Sequence, residues 1–231
     1  MIPIRDSVRS SHFPIVNYSL IVVNFLVFFY ELSLGSGLDR FLEQWALVPA
    51  LVADQPLAPT GPSSSSPPGI ATIFTSMFLH GGWLHILGNM LFLWVFGDNV
   101  EDAMGRLRYL AFYLIVGATA ALVQMFMSID SLLPSLGASG AVSGILGAYI
   151  LLYPKARVLT WVPVLIFLVI RLPAVIFIGV WFLIQFFQGL VASNDPTLGG
   201  VAWWAHIGGF LAGLILVNLF RRQERYGVIS Y

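Results

Sequence analysis

Six stretches of this chain are apolar, nearly free of charge and long enough to form membrane helices. A crossing helix needs about 20 apolar residues, and the stretch 158–170 is shorter than that and is followed by Arg171, so we interpret it as an interfacial segment. The pattern predicts an all-α membrane protein, a six-transmembrane-helix bundle built as a single domain over residues 1–231. The predicted helices are about 14–34, 83–100 (after a loop from about 71), 107–127, 138–153, 172–192 and 202–220.

The basic residues set the predicted orientation of these helices. Ten of the eleven arginines and lysines lie before the first helix, between the second and third, between the fourth and fifth, or after the sixth. Arg40 alone lies in a connection on the other side. Because basic residues accumulate in cytoplasmic loops, we predict that both termini are cytoplasmic.

The composition narrows the protein class. The chain is 58% hydrophobic and 10% charged, its mean hydropathy is +0.86, and its formal net charge is zero. These values are typical of a polytopic membrane protein and give no indication of nucleic-acid binding. The absence of cysteine excludes disulfides and thiolate metal sites. The extracytoplasmic connection 35–70 contains a Pro/Ser-rich part, 53–69, which we expect to be flexible.

Three histidines and one serine stand out within the apolar stretches. A titratable group in hydrocarbon costs on the order of 3 kcal/mol unless it has a partner or a task. His80 and His85 follow the first extracytoplasmic connection, Ser139 follows the second and His206 follows the third. Four polar groups that enter from one face indicate a single water-accessible site near that face.

The spacing of the residues around the histidines and the serine refines this prediction. His85 and Asn89 are four residues apart and share a helix face, whereas His80 precedes the helix. Small residues recur every four positions after Ser139 and after His206, which lets two membrane helices approach closely. We therefore expect the fourth helix to pack on the sixth and to bring Ser139 near His206.

With these motifs the chain resembles the rhomboid intramembrane serine proteases, and in particular their bacterial type. Three motifs stand in the family's order on the expected helices, and the six-helix core covers nearly the whole chain. They are H-x4-H-x3-N at His80, His85 and Asn89, G-x-S-G at Gly137–Gly140, and AH-x2-G-x3-G at Ala205–Gly213.

The resemblance implies a Ser-His dyad without an acidic third member. Ser139 would be the nucleophile and His206 its general base. The side chains of His85 and Asn89, with the Ser139 backbone N–H, would stabilise the oxyanion of the tetrahedral intermediate.

The resemblance gives other positions supporting roles. Gly137 and Gly140 flank the nucleophile, and Glu101 and Gly105 match a structural pattern after the second helix. His80 is compatible with two roles, an anchor of the loop or a direct contact to the substrate or oxyanion.

Two features of many bacterial family members are missing. An aromatic residue that stacks on the catalytic histidine follows the nucleophile by four positions in those members, whereas this chain has Ser143 there. We expect Trp203 or Trp204 to support the His206 ring instead. The family's Trp-Arg pair in the first extracytoplasmic connection is also missing, since Trp45 has no adjacent arginine.

The sequence therefore predicts an intramembrane serine endopeptidase that cleaves transmembrane segments of single-span membrane proteins. We expect it to be a multi-pass protein of a lipid bilayer, a prokaryotic plasma (inner) membrane, with no cofactor, no metal and no nucleic-acid partner. The sequence predicts neither an oligomeric state nor an individual substrate. The alternatives are a non-catalytic rhomboid-like protein that binds membrane clients and a three-histidine metal site; a transporter would require repeats that the sequence lacks.

Overall fold

The chain folds into a helical bundle with one small sheet. A computed structural model describes residues 1–54, 69–163, 168–194 and 201–222, so most of the Pro/Ser-rich stretch predicted to be flexible lies outside the described residues. Three-residue 3-10 turns at 35–37, 69–71 and 76–78 join some of the elements. The elements are β1 (Ile2–Asp6), α1 (Ile15–Ser33), α2 (Leu38–Trp45), α3 (Pro49–Asp54), α4 (Thr72–Thr75), α5 (Trp83–Met104), α6 (Arg106–Met127), α7 (Ser139–Leu152), β2 (Arg157–Trp161), β3 (Val169–Pro173), α8 (Ala174–Asn194) and α9 (Trp203–Phe220).

A helix lies in each of the six predicted apolar stretches, namely α1, α5, α6, α7, α8 and α9. Within the described ranges, α1, α6, α8 and α9 are long and apolar enough to cross a membrane on their own. Helix α5 and the turns at 69–78 pass the same test together as a pair bent by 79°, and α7 is shorter. The structure thus has four or five candidate spans and is that of a membrane protein, while the six-crossing arrangement with cytoplasmic termini stays a prediction.

Helix α5 begins at Trp83 as predicted, but the segment before it, predicted to be a loop, contains the short helix α4 and two 3-10 turns. The short turns before it end at Phe78, and Gly82, with φ of 153°, directly precedes the helix that begins at Trp83. This sharp bend places residues 79–82 beside the first turn of α5, where His80 and His85 lie.

Helix α7 is the centre of the bundle. Every residue from Gly140 to Tyr149 is buried, and a helix that is apolar and buried all round lies inside a bundle. The outer helices instead expose large apolar side chains, among them Leu107 at 83% and Leu219 at 75%, as expected for lipid-facing surfaces. At about 1.5 Å per residue, the 14 residues of α7 span only about 21 Å.

Glycines allow α7 and α9 to pack backbone against backbone. A Cβ added at Gly209 would collide with the Gly140 carbonyl oxygen, and one added at Gly213 with the carbonyl oxygen of Gly144. A Cβ at Gly147 would meet the Phe210 carbonyl oxygen in the same way. The close approach predicted from the small residues is present, and it brings the first turns of the two helices together.

The opposite end of the bundle is fixed by polar contacts. The Glu101 carboxylate accepts hydrogen bonds from the backbone N–H groups of Val16 at 3.2 Å and Asn17 at 2.7 Å, and so caps the start of α1. Gly105 has φ of 80° at the junction between α5 and α6, a backbone conformation that favours glycine, and the Arg222 guanidinium packs against it.

A three-stranded antiparallel sheet adds to the all-α pattern predicted from the sequence. Strand β2 pairs with both β1 and β3. The segment 158–170, predicted to be interfacial, supplies most of β2 and the start of β3, with residues 164–167 outside the described part. The Asp6 carboxylate at the end of β1 accepts hydrogen bonds from the Tyr149 hydroxyl and, at 2.9 Å, from Asn99 Nδ2. The sheet is thereby tied to α5 and α7.

Candidate active site

Ser139 is the first residue of helix α7. The loop before it turns through Gly137, whose φ of 122° is rarely adopted by residues with a side chain, and the Gly137 N–H donates to the Ser76 carbonyl at 2.8 Å. At the first position of a helix, the Ser139 backbone N–H has no intrahelical acceptor. The side chain and the N–H of Ser139 therefore both lie at the N-terminal end of α7.

His206 lies in the first turn of α9 and contacts Ser139 directly. Its Nε2 lies 2.8 Å from Ser139 Oγ, a normal hydrogen-bond distance. The residue is buried, with 9% of its surface exposed. Gly209 lies one turn after His206 and packs on Gly140, the residue after Ser139. This contact between the backbones of the two helices fixes the Ser139–His206 distance.

The second nitrogen of His206 has a partner that the sequence analysis did not identify. Gln185 of α8 places Oε1 at 2.5 Å from His206 Nδ1, and the Gln185 side chain is buried. A glutamine within an apolar span carries the same signal as the histidines did, because a polar group in hydrocarbon needs a partner. Gln185 could have been selected from the sequence on this ground.

Two tryptophans flank the His206 ring. Trp203 meets it edge-on at 5.9 Å between ring centroids, and Trp181 of α8 lies at 6.1 Å with the planes 38° apart. The aromatic support expected from Trp203 is thus present in the geometry, and Trp181 was missed. Trp204 packs beside Gly189 of α8.

Ser143, one turn after Ser139, is fully buried. Its hydroxyl donates to the Ser139 carbonyl at 2.6 Å, a bond to the preceding turn of its own helix. Ser143 is therefore a packing residue here, with its hydroxyl bound to the backbone of its own helix.

His85 and Asn89 face the loop that precedes Ser139. A Cβ at Gly137 would lie 2.6 Å from His85 Nε2 and 3.7 Å from Asn89 Nδ2, so glycine leaves the space that both side chains use. His85 Nδ1 accepts the Gly81 N–H at 3.4 Å, which leaves the hydrogen on Nε2, the atom next to Gly137. Asn89 Nδ2 is buried and has no hydrogen-bond partner within the described ranges.

His80 packs behind His85. The two rings meet edge-on at 5.1 Å between centroids, and His80 is 3% exposed. Its backbone N–H donates to the buried Glu31 carboxylate of α1 at 3.2 Å and 3.3 Å, a partner that the sequence analysis missed. These contacts favour the loop-anchor role of His80 over a direct contact to substrate.

A small cavity of about 30 Å³ adjoins the site, lined among others by Ser139, Gly137, Ser76 and Ala205. Its volume suits one or two water molecules. A cavity of about 1250 Å³ lies at the far end of the bundle, between Arg106 and Arg222, and contains no serine-histidine pair. Among the described residues, no group of three histidine, aspartate or glutamate side chains could hold a metal ion.

The comparison with known families and proteins gives one consistent result. The family model of the rhomboid domain matches residues 68–223. RHOMBOID-like protein 1 of Arabidopsis thaliana is 28% identical over 239 residues, covering 94% of this chain and 56% of that protein. Rhomboid protein 1, mitochondrial, of Saccharomyces cerevisiae is 30% identical over 152 residues, covering 62% and 40%. Rhomboid protease GluP of Bacillus subtilis is 33% identical over 143 residues, covering 61% and 24%.

The chain matches only part of each of these relatives. The chain spans 24 to 56% of their lengths, so the activity of a whole relative does not transfer directly. Relatives are named as mitochondrial in Saccharomyces cerevisiae and as chloroplastic in Arabidopsis thaliana, so the expectation of a prokaryotic plasma membrane is not supported. The apolar helices establish an integral membrane protein without specifying which membrane it occupies.

Proposed function

This chain belongs to the rhomboid family, and we propose that it is an intramembrane serine endopeptidase with a Ser139–His206 catalytic pair. The observation that carries the proposal is the 2.8 Å separation of Ser139 Oγ and His206 Nε2 at the outer ends of two helices packed through glycines. A nucleophile within hydrogen-bond reach of a base is the arrangement that covalent catalysis requires.

In the acylation step, Ser139 Oγ attacks the carbonyl carbon of the scissile peptide bond while its proton moves to His206 Nε2. The tetrahedral intermediate then collapses, the C–N bond breaks, and the leaving amine takes the proton from Nε2. The other half of the substrate stays bound to Ser139 as an ester. A water molecule next gives a proton to Nε2 and attacks that ester, which releases the acid product and returns the proton to Oγ.

The oxyanion of both intermediates would be bound by three donors. The Ser139 N–H at the start of α7, the hydrogen on His85 Nε2 and the unpartnered Asn89 Nδ2 all lie around Gly137. An unpartnered buried donor is costly at rest, but it is ready for a charge that develops during the reaction. One such donor typically contributes about 3 kcal/mol to lowering the barrier.

The proposed topology has six crossings, with both termini in the cytoplasm and the site open to the extracytoplasmic face. Four or five spans follow from length and composition alone, and α7 would be the additional, shorter crossing that lies inside the bundle. Substrates would be single-span proteins with small residues at the scissile bond. Their helix must unwind there, because backbone groups within a helix are already paired.

The topology can be tested by labelling, since the sequence has no native cysteine. A Ser139→Cys variant in sealed vesicles should react with a membrane-impermeant thiol reagent from the extracytoplasmic side. Reaction only from the cytoplasmic side would reverse the proposed orientation.

The activity is tested by a serine-directed fluorophosphonate and by cleavage of a single-span reporter in lipid vesicles. Wild type should be labelled on Ser139 and should cleave the reporter, Ser139→Ala should do neither, and the control Ser143→Ala should do both. Reporter binding without labelling or cleavage in wild type would favour the alternative, a rhomboid-like protein that binds membrane clients without catalysis.

A further inference from the structure

Among the described contacts, two side chains form hydrogen bonds with the His206 ring, Ser139 and Gln185. Gln185 Oε1 lies 2.5 Å from Nδ1, on the side of the ring opposite to Ser139. Gln185 belongs to α8, whereas the nucleophile and the base belong to α7 and α9. The site thus draws one polar group from each of three helices.

The contact determines which nitrogen of His206 carries the hydrogen. An amide oxygen can only accept, so Nδ1 must hold the hydrogen and donate it to Gln185. Nε2 is then unprotonated and can accept the hydrogen of Ser139 Oγ. In the other tautomer Nε2 would be a donor, and it could not serve as the base.

We propose that Gln185 is a positioning residue that holds His206 in the Nδ1–H tautomer and in the orientation that addresses Ser139. The inference rests on the proposed function and adds a third, neutral member to the Ser139–His206 pair. It acts through His206 and does not touch the substrate.

Among the described neighbours of His206, Gln185 is the one that accepts a hydrogen bond from Nδ1. Trp181 and Trp203 contact the His206 imidazole through their aromatic rings. The titratable side chain that interacts electrostatically with His206 is His85 of α5, and within the described part no carboxylate faces the ring from α5, α6, α7, α8 or α9. A neutral acceptor also avoids the cost of an ionised carboxylate in an apolar interior.

Two substitutions separate the hydrogen bond from simple packing. Gln185→Met keeps nearly the same length and volume but removes the acceptor, whereas Gln185→Glu keeps an acceptor. Gln188→Met makes the same chemical change three residues further along α8, where the side chain is exposed, and serves as the matched control.

We expect Gln185→Met to lower kcat for the reporter by about 10- to 100-fold with little change in KM, since one neutral hydrogen bond and part of the base function are lost. Gln185→Glu should recover most of kcat and move the acidic limb of the pH–rate profile to higher pH, because a carboxylate favours the imidazolium. Gln188→Met should match wild type in all three. Equal kcat and an unchanged pH profile in Gln185→Met would overturn the inference.

A second measurement does not depend on activity. In ¹⁵N-histidine spectra of the purified protein, the His206 signals, assigned by their loss in His206→Ala, should show the Nδ1–H tautomer in wild type and a mixture in Gln185→Met. An identical tautomer in both proteins would also overturn the inference. If wild type showed the expected tautomer but no labelling of Ser139, the proposed function would fail while the role of Gln185 in orienting the ring would stand.

Discussion

Substitution of Gly209 by alanine should slow catalysis by about 100-fold without changing either catalytic side chain. Gly209 lies one turn after His206 and packs on the carbonyl of Gly140, the residue after Ser139. An added Cβ would stand 3.0 Å from the Gly140 carbonyl carbon and closer still to its oxygen. Carbon atoms in ordinary contact lie about 3.5 to 4.0 Å apart, and the oxygen is closer still, so the two helices must separate by about 1 Å at this turn.

The size of the effect follows from that displacement. Moving His206 Nε2 from its present 2.8 Å to nearly 4 Å from Ser139 Oγ would break the hydrogen bond. A misplacement of about 1 Å typically costs about 100-fold in rate, which corresponds to about 2.7 kcal/mol of barrier. The fold should tolerate the change better, because alanine gains about 1 kcal/mol of helix propensity over glycine against an overpacking cost of about 1 to 3 kcal/mol.

The assay compares kcat for the reporter, fluorophosphonate labelling of Ser139 and the thermal midpoint of the purified protein. Gly179→Ala is the matched control, because a Cβ at that position in α8 meets nothing within 4 Å. We expect Gly179→Ala to behave as wild type, and Gly209→Ala to stay folded but to be labelled and to turn over about 100-fold more slowly. Near-normal kcat in a folded Gly209→Ala protein would refute the idea that the glycine contact sets the Ser139–His206 distance.

Three further predictions follow from the site and from the sheet. His85→Ala and Asn89→Ala should each raise the barrier by about 2 to 4 kcal/mol with smaller effects on KM, and a double variant with normal kcat would remove the oxyanion assignment. Activity should rise with pH through a single ionisation of His206, which must be neutral to accept the Ser139 proton, and EDTA should not change it; loss in EDTA with recovery in zinc would contradict this. Burial raises the pKa of Asp6 against the opposing hydrogen bond from the Tyr149 hydroxyl, so protonation favours the folded state. The thermal midpoint of wild type minus that of Asp6→Asn should therefore increase as the pH falls from that raised pKa toward 3.8. A decrease in this difference over the same pH range would contradict the prediction.

The helix positions could be predicted from the sequence because apolar length and charge are local properties. Each predicted end lies within four residues of the observed one, and α5 begins at Trp83 as expected. The sheet could not be predicted, since β2 and β3 form from a short apolar segment whose partner, β1, lies more than 150 residues away along the chain. An apolar run of that length is equally compatible with an interfacial helix.

The candidate site shows the same division between local and distant information. Ser139, His206, His85 and Asn89 could be selected because each sits in a short motif. Gln185 sits in no motif, and its contact with His206 joins two helices whose relative rotation the sequence does not encode locally. Which polar residues of a span face the interior depends on tertiary packing, and only the structure supplies that.

The shortness of α7 would also determine where a substrate is cut. One end of α7 is held by the hydrogen bonds from the Tyr149 hydroxyl to Asp6 and from the Tyr153 hydroxyl to the Asn99 carbonyl, and the other end carries Ser139. In the proposed topology, the apolar layer is about 30 Å thick and the end of α7 opposite to Ser139 lies at its cytoplasmic edge. A helix of about 21 Å then leaves the serine roughly 9 Å below the outer edge of the layer. On the proposed function, α7 acts as a ruler that selects a peptide bond by its depth. A thicker bilayer would then shift the cleaved bond along the substrate, with no change in the enzyme.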